Sequence, residues 1–482
     1  MRQVEEFVRT GDPWIDIGLV SLWETLAAKH RVKLSRGRGP EEIRSGSLSA
    51  VLSAESLVLK GSPKDINRLL GAALHSLTDA VWRETKSGNR WWSGAARFFF
   101  KQQNNPKKLL TPLHRLKRKG RNGRCDFCGR SGVKVTEART SENPFIVKSD
   151  RMSSFYSHLK GTFNICSFCA FASWFATPSI FFNVDLRNNT LNAFFFDAPD
   201  LLRLARFQHA LSRVRVTGET FRNFKGAVAY AKYPMENFTS FLLAIHQEMA
   251  MKSELLQGIT VHVFSARLDA RKVSFIRHCT IPNLPKILNV LTMMQWQSKT
   301  RQHNALQDVM RRFYFVHGGE RNTIIREDLA RRFIACSEVA DVVEEFLFRQ
   351  SLSDLGLSKF EVISFYQLTE KYYRRVLGLD SDVLEASKRL GDVLGTVAAK
   401  SDNKSILYSL RGLRSLEDYY AYIHQFVTRY MDSVGKLRYT VDTITSQINE
   451  TNWRNHRSLV GIYGVLTYID VLQKGKKTVG AT

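Results

Sequence analysis

Acidic residues are scarce in this chain. Its 482 residues carry 45 Asp and Glu against 71 Lys and Arg, a formal charge of +26. An excess of that size marks a polyanion as partner, nucleic acid ahead of a membrane surface. The shortage is uneven: beyond residue 350 there are 18 basic and 14 acidic residues, so +22 falls on the first 350. Gly-x-x-x-x-Gly-Lys-Ser/Thr is missing altogether, which leaves ATP-driven unwinding without its phosphate cradle. Neither a His-Asp doublet nor His-Glu-x-x-His occurs, so the familiar nuclease and protease metal motifs are absent too. Long apolar runs are also lacking. Residues 161–184 form a 24-residue stretch without a charge, but it holds Asn164, Cys166, Cys169 and Pro178. A spanning helix needs about 20 predominantly apolar residues with every backbone group satisfied; a metal knuckle followed by a buried helix and a strand explains the stretch better. The start, Met-Arg-Gln-Val-Glu-Glu, has no apolar h-region. A cytoplasmic protein with reduced thiols and no membrane contact is expected. No internal repeat or low-complexity segment stands out.

Cysteine is sparse as well, six in all, yet four are paired: Cys125-Asp-Phe-Cys128 and Cys166-Ser-Phe-Cys169, separated by 37 residues. Two thiols three positions apart can face one ion from a tight knuckle, and a second knuckle completes a tetrahedron of sulfurs. Four thiolates leave no position open for water or substrate, so the expected site is a structural zinc. Redox chemistry needs one reactive pair rather than two matched ones, and two disulfides need an oxidising compartment. The spacer exceeds the 15–20 residues usual for a zinc ribbon, so a zinc-stapled insertion is expected over 120–175.

The basic excess is densest just before the first knuckle. Lys101, Lys107, Lys108, Arg115, Lys117, Arg118, Lys119, Arg121 and Arg124 follow one another with no acid between them. Such a run is either a solvated face or a track for phosphates. It begins at Gln102-Gln103-Asn104-Asn105-Pro106, an exposed amide loop by composition. Upstream, Asn89-Arg90-Trp91-Trp92 and Arg97-Phe98-Phe99-Phe100-Lys101 interleave aromatics with cations. These rings either stack on bases or pack in a core with their charged neighbours reaching out.

The element signals predict an α+β N-terminal region with β-hairpins over 1–322 and an all-α C-terminal bundle over 323–482. Asp12 and Pro13 read as the cap and first residue of a helix whose Ile15, Leu19, Leu22, Trp23 and Leu26 share a face. A second helix is expected over 64–84. Residues 180–186 and 190–196 read as a hairpin, as do 259–266 and 272–281, with the intervening 198–254 mostly helical. After Thr323 five or six helices are expected. Ser358-x-x-Glu361 is a capping box, and Gly435 suits the stop of the helix bearing Leu416 to Tyr430. The tail 474–480 is expected to fray. Two candidate catalytic pairs have structural explanations: His317-Gly-Gly-Glu320 is a turn, and adjacent His278 and Cys279 point to opposite faces of a strand. No enzyme activity is expected.

Three features combine: the Gly11-Asp12-Pro13-x-x-Asp16-x-Gly18 start, the two CxxC pairs around an insertion, and the helical C-terminus. Together they resemble the CXXC–CXXC family of large subunits of type I CRISPR Cascade complexes, as in type I-B systems. The resemblance implies a non-catalytic subunit that works with crRNA and the other Cascade subunits. It implies recognition of the protospacer-adjacent motif on target double-stranded DNA, help in opening the duplex into an R-loop, and docking of a helicase–nuclease or of transposition proteins. In such complexes guide pairing reads the long sequence while protein reads a few base pairs and the backbone. The residues placed to do so here are Gln102, Gln103, Asn104 and Asn105 for reading a groove, Trp91 or Trp92 as a wedge, and the 107–124 run for phosphates. The competing reading is a guide-independent, zinc-stapled DNA- or RNA-binding accessory protein.

Overall fold

The computed structural model describes residues 3–30, 40–100, 120–138, 143–144, 163–186, 189–211, 216–217, 221–224, 226, 227–246, 256–268, 273–282, 284–298, 302–351, 356–430, 446 and 448–479. The chain divides into two compact units, Met1–Gly226 with Ala244–Pro285, and Ala227–Leu243 with Lys286–Thr482. The change from mixed to all-helical structure near residue 323 thus falls inside the second unit.

The first unit is built around one buried helix. Strand β1 (Gln3–Val8) leads into α1 (Pro13–Lys29), where Asp12 caps by accepting from the Ile15 N–H at 2.9 Å. The periodicity predicts one apolar face, but Trp14, Ile17, Val20 and Ser21 are buried as well. A helix apolar on all sides belongs in the middle of a core. Beside it, β1 joins β2 (Glu41–Ser45), β3 (Leu48–Leu52) and β4 (Ser56–Gly61) in an antiparallel sheet of order β1-β4-β3-β2. These strands are not anticipated by the sequence reading, although Gly46-Ser47 between β2 and β3, with Gly46 at φ +59°, is a two-residue hairpin signal. Helix α2 (Pro63–Lys86), capped by Ser62, covers the expected 64–84. Helix α3 (Arg90–Phe100) then carries the aromatic run.

Next come β5 (Arg121–Gly123), β6 (Val133–Glu137) and β7 (Asn164–Cys166), paired in that order, and the short helix α4 (Ser167–Trp174). The main sheet has six strands. Its centre is the first expected hairpin, β8 (Phe181–Asp185) and β9 (Thr190–Asp197), with Phe181 opposite Phe194 and Asp185 opposite Thr190. Helix α5 (Leu201–Leu211) is followed by β10 (Val216–Thr217) and β11 (Arg222–Phe224), the latter parallel to β8. These two interrupt a segment expected to be mostly helical: at two and three residues they are too short to show a period. The second expected hairpin, β12 (Thr260–Leu268) and β13 (Val273–Ile281), completes the order β10-β11-β8-β9-β12-β13. His278 and Cys279 go to different neighbours: His278 stacks on His262, ring nitrogens 3.4 Å apart, while the Cys279 Sγ lies 3.7 Å from the Val263 carbonyl oxygen. Burial pulls both imidazoles down to about 4.

The second unit starts with α6 (Pro234–His246) and α7 (Leu284–Met293). It continues with the hairpin β14 (Gln295–Gln297) and β15 (Gln302–Asn304), helix α8 (Ala305–Arg312) and the hairpin β16 (Phe315–His317) and β17 (Glu320–Asn322). His317 and Glu320 close that last turn over Gly318 and Gly319, both at positive φ. Seven helices follow among the described residues: α9 (Ile324–Ile334), α10 (Ala340–Ser351), α11 (Lys359–Arg375), α12 (Ser381–Lys400), α13 (Ser405–Arg411), α14 (Leu416–Arg429) and α15 (Trp453–Val479). The Ser358 and Glu361 capping box is made in both directions. Three expectations change: seven helices stand where five or six were expected, α14 ends at Arg429, ahead of Gly435, which lies outside the described residues, and the tail continues α15 to Val479. Helices α12 and α15 cross in close contact, since a Cβ on Gly395 would stand 2.2 Å from the Gly464 carbonyl oxygen. No helix of the described residues is long and apolar enough to cross a membrane.

Candidate metal centre

The four paired cysteines converge although 37 residues separate the two knuckles. All four Sγ atoms lie within 4.8 Å of one another, with Cys125 to Cys169 at 3.9 Å and Cys128 to Cys166 at 3.7 Å. Thiolates at roughly 2.3 Å from a shared ion stand about 3.8 Å apart in a tetrahedron, so the spacing is that of a metal site. None of the six cysteines forms a disulfide.

Local geometry makes each knuckle. In the first, the Cys125 N–H donates to the Arg130 carbonyl at 2.9 Å and the Gly129 N–H to the Cys125 carbonyl at 3.0 Å. Gly129 takes φ +73°, the left-handed conformation this reversal requires. The second knuckle is the join of β7 and α4. Cys166 ends the strand opposite Val135 of β6, and its N–H points at the Cys125 Sγ, 3.4 Å away. Asp126 clasps the two together: its N–H donates to the Asn164 carbonyl at 2.9 Å and its Oδ2 accepts the Asn164 N–H at 2.7 Å. Cys125, Cys166 and Cys169 are buried and Cys128 is half-buried. As bare thiols the four cannot all ionise. Hydrogen bonds from its three neighbours pull the Cys125 thiol far down, while the same bonds push Cys166 and Cys169 up. A cation at the centre removes that conflict by deprotonating all four.

The centre is seated on the N-terminal motif. Arg130 of the first knuckle donates to the Glu6 carbonyl at 2.8 Å and lies 5.3 Å from the Phe168 ring. Phe168 of α4 meets Phe7 of β1 edge-on at 5.1 Å. Helix α4 then lies against α1 at Gly18, where a Cβ would stand 2.1 Å from the Ala172 carbonyl oxygen. The rest of the motif latches the entry to α1. Asp16 is buried and accepts from the Thr10 N–H at 2.7 Å, the Thr10 hydroxyl at 2.8 Å and the Gly11 N–H at 2.9 Å. Burial raises the Asp16 carboxyl despite these donors; burial and then the charge of Asp16 push Asp197 up to about 6. The spacing in Gly11-Asp12-Pro13-x-x-Asp16-x-Gly18 thus records a turn, a cap, a latch and a close helix contact.

Gly18→Ala is therefore expected to destabilise by about 3 kcal/mol, the upper end for overpacking, because the obstacle is backbone and cannot swing away. Gly71→Ala on α2, where a Cβ meets nothing within 4 Å, is expected to stabilise by about 0.8–1 kcal/mol. Urea midpoints of the two variants check the contrast, and equal midpoints would remove the close contact as the reason for Gly18.

The nucleic-acid candidates separate. Trp92 is 1% exposed, lies 4.3 Å from Phe221, and donates its Nε1–H to the Thr85 hydroxyl at 3.1 Å. Phe98 stacks on Phe264 and Phe99 on Trp14. These rings are core, and Trp92 in this packing cannot reach out as a wedge. Trp91 is half-buried against Phe182. Arg121 and Arg124 are exposed beside the first knuckle; Arg121 donates to the Asn164 side chain at 3.3 Å, and Arg124 has no carboxylate partner among the described residues. Gln102, Gln103, Asn104, Asn105, Lys107, Lys108, Arg115, Lys117, Arg118 and Lys119 lie outside the described residues. Arg130, Asp126 and Phe168 escape the sequence reading, for only their nearness to a cysteine marks them. No protein-family model and no curated protein matches the chain.

Proposed function

We propose that this chain is the non-catalytic large subunit of a crRNA-guided Cascade complex, with structural zinc on Cys125, Cys128, Cys166 and Cys169. In this role it reads a protospacer-adjacent motif on duplex DNA, helps open the duplex and docks a helicase–nuclease or transposition factor. The observation that carries the reading is the contact of Gly18 with Ala172. Two features behind the resemblance, the N-terminal motif and the second CxxC, are thereby one packing unit rather than two coincidences of sequence. Four soft thiolates in a closed tetrahedron favour zinc, whose part is to hold the knuckles.

The concentration of charge in the first 350 residues supports a phosphate-binding role. Arg121 and Arg124 bring the basic run up to the metal centre, which anchors its end. Reversing Lys117, Arg118 and Lys119 to Glu is expected to weaken binding to DNA of every sequence alike. Each lost phosphate contact flattens the logarithmic salt slope by about 0.9, so three flatten it by up to about 3. Affinity measured across a salt series reads this directly; an unchanged slope takes the run out of the interface.

The deciding experiment is co-purification with the Cascade subunits encoded nearby and a crRNA, then selection from target duplexes with a randomised flank. A short flanking motif enriched only when this chain is present supports the proposal. A chain that stays out of the complex and binds nucleic acid alone, with no flank preference, is instead the guide-independent accessory protein.

A further inference from the structure

Besides the metal centre, the second unit carries a compact group of aromatic and cationic side chains at its surface. Tyr230 is 59% exposed, and its backbone sits at φ +60°. A bulky side chain holds that left-handed conformation only where its surroundings impose it, and such positions cluster at functional sites. The surroundings here are explicit. The Tyr230 carbonyl accepts from Nη2 of the buried Arg326 at 2.9 Å. Arg326 is in turn paired with the buried Glu236, Nε to Oε2 2.5 Å. A buried ion pair thus fixes a strained turn that presents an aromatic ring to solvent.

Against that ring lies Arg321 of β17. Its guanidinium carbon is 4.6 Å from the Tyr230 centroid and 4.6 Å from that of Tyr314. Arg321 is exposed and has no carboxylate partner among the described residues; the same holds for Arg311, whose Nε donates to the Ala227 carbonyl at 3.3 Å. The acids nearby are mostly engaged: Glu361 with Arg312, Glu345 with Arg349, and Asp328 with Arg331 and Arg332. Glu320 alone faces the solvent on the hairpin. The patch is therefore an exposed Tyr230 ring and a half-buried Tyr314 ring that share the unneutralised Arg321 guanidinium over their faces, with a second such cation at Arg311.

We infer that Tyr230, Arg321 and Tyr314 form a stacking ledge for an unpaired nucleic-acid strand, with Arg311 and Arg321 taking its phosphates. Exposed rings that accept any base, with arginine beside them, are how proteins hold single strands without reading sequence. This rests on the nucleic-acid reading above and adds to it a strand-binding site in the second unit.

The test is binding of the zinc-loaded full chain to an oligo-dT of about 20 nucleotides, long enough to cover one such site, and to an abasic strand of the same length and charge. Fluorescence anisotropy reads both. Wild type is expected to prefer the strand with bases. Tyr230→Gly suits the left-handed backbone and so keeps the fold; it is expected to bind oligo-dT about tenfold more weakly and to lose the preference. Arg321→Lys, which keeps the charge without the plane, is expected to hold the abasic strand as wild type does and to lose most of the preference. Wild-type binding without preference for bases, or a Tyr230→Gly variant that keeps it, overturns the ledge alone. A chain that binds neither strand, while its assembled complex binds duplex target, also overturns the ledge and leaves the Cascade reading standing. If neither chain nor complex binds nucleic acid, both fall.

Discussion

Cys128→Ser is expected to lower the melting temperature of the chain by roughly 10 °C or more and to abolish stoichiometric zinc. The four cysteines are not equivalent for this purpose. Cys125, Cys166 and Cys169 are buried, so a serine there would strand a hydroxyl among apolar neighbours and damage the fold even without metal. Cys128 is half-buried, and its substitution removes a ligand with less of that side effect. Structural zinc contributes about 10–16 kcal/mol of binding energy to the folded state of small peptides. If a defective shell forfeits about 5 kcal/mol of it, the shift at about 2–4 °C per kcal/mol for a domain of this size is 10–20 °C. A chelator should bring wild type down to the same melting point and leave the variant unmoved. Cys279→Ser, on a strand away from the centre, should leave zinc content unchanged. A Cys128→Ser protein that is zinc-free, folded and melts with wild type would falsify the structural-metal reading.

The prominence of those cysteines in the sequence has a physical cause. A tetrahedral site needs few residues, of one type, at fixed short spacing, so its signal survives a long insertion. The helix after Asp12-Pro13 and the hairpins around residues 187–189 and 269–272 were legible for a similar reason: caps and turns are local chemistry. Packing was not. Trp92 and Phe98 look the same in sequence whether they face a base or a core, and only the neighbours Phe221 and Phe264, distant along the chain, decide it. Asp16 and Gly18 show an intermediate case. Their spacing was visible as a motif, but its meaning was hidden, because Gly18 is explained by Ala172 and Asp16 by the turn before it. Arg326 had no signal at all: nothing near it in sequence says that an arginine on an amphipathic helix turns inward.

That arginine supports the second large effect. Arg326→Ala and Glu236→Gln are each expected to cost about 3–5 kcal/mol, because each leaves part of a buried pair uncompensated. The more informative variant is the double Glu236→Leu/Arg326→Met. Replacing a simple buried ion pair by apolar residues of similar size is often neutral or stabilising, which would predict recovery. Here the pair also serves the backbone. Arg326 donates to the carbonyls of Ala229, Tyr230 and Met310, while Glu236 accepts from the N–H groups of Lys232 and Tyr233 and from the Thr323 hydroxyl at 2.8 Å. Apolar side chains would leave those groups without these partners, at about 1–3 kcal/mol for each that is fully buried, as the Met310 carbonyl and the Thr323 hydroxyl are. The double variant is therefore expected to stay as unstable as the worse single one, in urea unfolding followed by circular dichroism. Recovery to wild-type stability would mean that the ion pair, rather than the loop it pins, is what the fold depends on. Arg326→Ala and the double variant should also lose the preference for strands with bases, since neither keeps the guanidinium that holds the Tyr230 carbonyl in its strained turn.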